Sequence, residues 1–168
     1  MRYTAACNWT RGFTINDKAD TPQFKVVRTD GLHGNILTML SPEGEKLSVI
    51  TPRYGPTRLE IAAPDQQPVT VRHHGWFGRR YDIEALIGEM RATVGDFSGA
   101  DYQISSSGTV RAVVSRQLMR QQNLTIDLAD GEDAVSLISI VLAIETLRDD
   151  RRENQNIPYV RLLLRFIN

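Results

Sequence analysis

From residue 13 to about 127, apolar residues come in short runs separated by Gly, Pro, Asn and Asp, and within the runs they alternate with polar ones. Leu59 and Ile61 flank Glu60, Val69 and Val71 flank Thr70, and Leu124, Ile126 and Leu128 alternate with Thr125 and Asp127. A period of two gives each segment one dry face and one wet face, as in a strand that covers a core. Strands are predicted at 13–15, 23–28, 35–40, 46–51, 57–62, 68–74, 79–86, 90–97, 101–105, 109–115 and 123–129. The turns "SPEGEK" and "SSSG" carry Gly44 and Gly108, where tight reversals need positive φ. The two hairpins form a weak repeat, with Val49-Ile50-Thr51 following Gly44 at the same offset as Val113-Val114-Ser115 follows Gly108.

The pattern changes at Ala134. Ala134, Val135, Leu137, Ile138, Ile140, Val141, Leu142, Ala143, Ile144 and Leu147 cover nearly the whole circumference of a helix predicted over about 132–152. Asp130 is read as its N-cap with Asp133 three positions on, and Ser136 and Ser139 are small enough to bond back to backbone carbonyls. Roughly fifteen residues make a rod of about 22 Å. A flat sheet would cover one side of that rod, whereas a sheet closed around it would cover all of it. The predicted fold is therefore mainly β with one central helix, a closed, roughly 12-stranded antiparallel β-barrel enclosing a hydrophobic C-terminal helix. Arg148, Arg151 and Arg152 suit the negative end of the helix dipole, and Arg148 is read as the point where the helix meets water. Residues 157–167 alternate again, as an extra strand that either completes the barrel or lies at an edge and recruits a second chain.

A strand-rich chain ending in a helix that plugs its own barrel resembles the tubby C-terminal-like superfamily. More narrowly, "DYQISSSGTVRAVVSRQLMRQQNLTIDLADGEDAVSLISIVLAIETLRDDRR" (101–152) looks like the C-terminal half of the LURP-one-related family. "MRYTAACNWTRGFTI" and "FKVVRTDG" resemble that family's start. The resemblance implies a single barrel domain, kinship with tubby domains that bind phosphoinositide headgroups, and kinship with phospholipid scramblases. Its motifs are structural, so it transfers no binding residue.

Twenty Lys+Arg balance twenty Asp+Glu, which excludes a surface built throughout to hold nucleic acid and leaves local patches as the route to charged partners. The lone Cys7 cannot close an internal disulfide and the N-terminus lacks a signal-length apolar run, so the expected location is the cytoplasm, with peripheral contact at the inner membrane face. The most basic stretch is "VRHHGWFGRR" (71–80). Arg72, His73, His74, Trp76, Arg79 and Arg80 form the candidate patch for an anionic lipid headgroup, the aromatics at the interface and the arginines on phosphate. The competing reading folds those aromatics back on the barrel and leaves the charges in water.

His73 and His74 point to opposite faces of a strand, so no metal site is expected there. Asp130, Glu132 and Asp133 are read as helix capping in preference to a weak calcium site. Neither a Gly-x-Ser-x-Gly elbow nor a His-Glu-x-x-His helix occurs. The expected function is non-enzymatic binding or scaffolding, with no cofactor, and with an anionic membrane surface as partner. The alternatives are protein–protein interaction through the C-terminal strand and a scramblase-like lipid-handling role, and the oligomeric state is open.

Overall fold

The computed structural model of the chain describes residues 1–6, 12–32, 34–53, 58–74, 80–84, 89–94, 101–117 and 123–155. The architecture is mainly antiparallel β with one helix. The strands are β1 (Arg2–Ala6), β2 (Gly12–Asp17), β3 (Pro22–Gly31), β4 (Gly34–Leu40), β5 (Lys46–Pro52) and β6 (Arg58–Ala62), followed by β7 (Val69–His74), β8 (Arg80–Glu84), β9 (Glu89–Val94), β10 (Asp101–Ser106), β11 (Thr109–Gln117) and β12 (Asn123–Leu128). The helix α1 spans Ala134–Gln155.

Each strand from β2 to β12 pairs antiparallel with the next in the chain, giving the order β1-β12-β11-β10-β9-β8-β7-β6-β5-β4-β3-β2. β1 lies between the two extremes of that series: Tyr3 is opposite Ile126 of β12 on one side and Asp17 of β2 on the other. The eleven strands predicted between 13 and 129 correspond to β2 to β12, and β1 at the N-terminus is a strand the sequence pattern does not mark. The segment 157–167 lies outside the described residues, and the place between β12 and β2 is held by β1.

The period-two pattern sorts side chains as it should. Leu37 and Met39, Leu59 and Ile61, Tyr102 and Ile104, Ala112 and Val114, and Leu124, Ile126 and Leu128 all face inward and are buried. Every residue from Leu137 to Arg148 is buried as well. Twelve consecutive buried positions span more than three turns, so this part of α1 is covered on all sides. Ser139 fits the interior by donating to the Val135 carbonyl at 2.7 Å while its Oγ lies 2.7 Å from Ser48 Oγ on β5.

The helix starts one turn later than Asp130. Asp133 is the N-cap: its carbonyl accepts from Leu137 N–H at 3.1 Å and its Oδ1 accepts from Val135 N–H at 3.1 Å. Ser136 Oγ closes on Asp133 Oδ2 at 2.5 Å. Asp130 instead lies 3.9 Å from the N-terminal ammonium. Arg148 does not mark the rim either; it is buried, and α1 runs on to Gln155.

Antiparallel order puts the connections alternately at two ends. Residues 18–21, 41–45, 63–68, 107–108 and 129–133 lie at the end where α1 begins, here the capped end. The carboxy-terminal turns of α1 lie at the far end.

Candidate functional site

On β7, Val69 and Val71 face the core, so His73 shares the inner face while Arg72 takes an outer position. Arg72 lies opposite Arg58 on β6 and opposite Asp82 on β8, and Asp82 is in turn opposite Arg91 on β9. His74 is opposite Arg80. The register therefore puts Arg58 beside Arg72 on one outer face towards the far end, separates His73 from them, and pairs the backbones of His74 and Arg80. Arg58 was not singled out from its sequence; only strand pairing brings it beside Arg72, since directly opposed residues sit about 5 Å apart at Cβ. Trp76 and Arg79 lie outside the described residues.

The capped end holds a cavity of about 650 Å³ between α1 and strands β7, β9, β10 and β11. Val69, Met90, Leu137 and Ile140 give it an apolar floor, and Gln66, Gln67, Ser106, Arg111, Glu132, Asp133 and Ser136 form its walls and mouth. The loop between β12 and α1 is fastened over one side: Arg111 Nη1 donates to Glu132 Oε1, and the Arg111 carbonyl accepts from Ala129 N–H at 2.9 Å. Ser136 Oγ lies 3.3 Å from Gln66 Oε1 across the opening. No motif joins this set, because its members come from β7, β9, β10, β11, α1 and the loops that precede β7 and α1.

A third polar group lies between α1 and the inner faces of β10 and β11, towards the far end. Glu145 is fully buried; Arg148 Nη1 donates to its Oε1 at 2.9 Å, and Arg116 Nη1 of β11 stands 3.5 Å from its Oε2. The Arg148 guanidinium also lies 5.4 Å from the centre of the buried Tyr102 ring. Two cations on one carboxylate, with an aromatic face beneath one of them, keep each charge within reach of a compensating group. Among the described residues, no group of three His, Cys, Asp or Glu side chains is placed to hold a metal ion, and no helix is long and apolar enough to cross a membrane.

The family model described as LURP-one-related matches residues 4–145. A crystal structure of a protein from Arabidopsis thaliana is similar in fold, with a TM-score of 0.66 at 13% identity over 88% of this chain and 90% of that one. No curated protein matches.

Proposed function

This chain belongs to the LURP-one-related family, and on that premise we propose that it is a non-enzymatic binding domain whose ring of strands closes as a barrel around α1 and whose far end meets an anionic phospholipid or phosphoinositide surface. The observation that carries this reading is the sorting of charge along a net-neutral chain. The described turns of the capped end hold Asp20, Glu43, Glu45, Asp65, Asp130, Glu132 and Asp133 against Lys18 alone. At the other end the described residues include Arg53 after β5 and Arg58 at the start of β6. Arg58 and Arg72, opposite each other, extend that basic end onto the outer face of β6 and β7. A surface so polarised turns its basic end to a negative membrane, with attraction of about 1 kcal/mol per basic residue near the lipid and a steep dependence on salt.

Co-sedimentation with neutral, phosphatidylserine and phosphoinositide vesicles tests the reading, with Arg79→Glu/Arg80→Glu as the comparison. Binding to the anionic vesicles that weakens with salt and is lost in the double variant supports it. Equal sedimentation with neutral and anionic vesicles, or none with any, removes it. A second reading, interaction with another protein chain through residues 157–167, is favoured by one observation: β1 already holds the place that this segment would need in order to complete the ring.

A further inference from the structure

We infer that the cavity at the capped end is a binding site for a small cationic amphiphile, an ammonium head on a single apolar body. At about 650 Å³ the cavity falls within the range of about 300–1,000 Å³ usual for small-molecule sites. Its floor of Val69, Met90, Leu137 and Ile140 offers nothing but apolar surface to whatever enters. One polar group is aimed into it without a protein partner: Ser106, only 8% exposed, has no side-chain hydrogen bond among the described residues. A buried hydroxyl left this way needs a partner supplied by water or by a ligand.

The sign of the head follows from the mouth. A helix amino terminus ordinarily attracts anions, but here Asp133 already occupies that position, accepting from Val135 N–H. Glu132 and Arg111 neutralise each other. What remains around the opening is Asp133, whose carboxylate is hydrogen-bonded by Val135 N–H and Ser136 Oγ but meets no cation among the described residues, with Asp65 in the neighbouring turn, while Asp130 faces the N-terminal ammonium. A carboxylate or phosphate head would meet like charge there, and an ammonium would be drawn in and could donate to Ser106. This site is at the opposite end from the proposed membrane face and does not depend on it, so either can fail alone.

The test uses the full chain labelled with ¹³C at the methionine methyls, titrated with octylammonium, octanol and octanoate, which share one apolar body and differ in the charge of the head. The Met90 methyl should shift saturably with octylammonium, less strongly with octanol and least with octanoate. Val69→Phe, checked for an unchanged melting temperature, narrows the floor and should weaken octylammonium about tenfold or more. Should that variant melt early, Glu132→Gln/Asp133→Asn serves in its place. Asn keeps the N-cap, and loss of the two charges should erase most of the preference for ammonium over octanoate, a change of roughly fivefold for partly exposed groups. No saturable shift with any of the three compounds overturns the site. Equal shifts, or a preference for octanoate, overturn the cationic head.

Discussion

Three charged side chains buried between α1 and the inner face of the sheet need a reason to be tolerated, and Glu145 supplies it. Removing an ion from water costs several kcal/mol, and only close partners offset that. Glu145 has two, Arg148 three residues along the helix and Arg116 on β11. The expected consequence is asymmetric. Glu145→Gln leaves two buried guanidinium groups without their shared carboxylate and should lower the unfolding free energy by about 3–5 kcal/mol. Urea denaturation followed by circular dichroism measures this, and a loss below about 1 kcal/mol would mean that water reaches the group. The arrangement was not legible in the sequence: Glu145 and Arg148 sit on a helix whose pattern says only that it is apolar on most sides, and Arg116 is 29 positions from Glu145 (145 minus 116). Local patterns encode which face a residue takes, but a charge pair across the core is fixed by strand register.

At the scale of elements, what was readable is what repeats. Strands with clear alternation, such as β6, β7 and β12, were marked by their own residues. β1 was missed because its inner positions are Tyr3 and Ala5, and between Thr4 and Ala6 the small alanines give little contrast and weak strand preference. The likeness between the hairpins at Gly44 and Gly108 has structural support. Both glycines take positive φ, at 92° and 80°, and Ser107 at 50° completes a turn with two successive positive φ values. Ile50 and Val114, at the same offset from their glycines, are both buried. Both hairpins also carry a register shift, between Met39 and Leu40 in one and between Ile104 and Ser105 in the other. In the order of strands the two lie six apart, β4–β5 against β10–β11, as a duplicated half would place them. The C-terminal segment belongs to this scale too. With β1 seated between β12 and β2, a chain ending after Glu153 keeps every described strand pairing. It should fold, with a melting temperature within a few degrees of the full chain, as thermal unfolding would show. Failure to fold would assign 157–167 to the core of the domain.

For the whole molecule, the seam at β1 decides whether the strands act as one ring or as an open sheet, and with it whether α1 is enclosed. An open sheet would leave β2 and β12 as edges with unpaired backbone groups. The seam is held by backbone pairing on both sides, by the N-terminal ammonium donating to the Leu128 carbonyl at 2.7 Å, and by Arg2 donating to both carboxylate oxygens of Asp127 at 2.6 and 2.9 Å. The guanidinium hydrogen bonds hold the Asp127 carboxyl below the usual carboxylate range, against the opposing effect of partial burial. A carboxyl so depressed stabilises the native state above its unfolded pKa, near 4, and that contribution disappears as pH falls through the lower folded value. The pair is largely exposed, so the effect is small, within about 1 kcal/mol, but it acts at the point of closure. Hydrogen exchange should therefore find the amides of Tyr3 and Ala5 as protected as those of β12 at neutral pH, with protection falling sooner than in β12 as the pH drops below about 4. Asp127→Asn should flatten that acid dependence while leaving neutral protection of the two amides nearly unchanged. Fast exchange of both amides at neutral pH would mean an open sheet, with α1 exposed along the seam and β2 free to take up another strand.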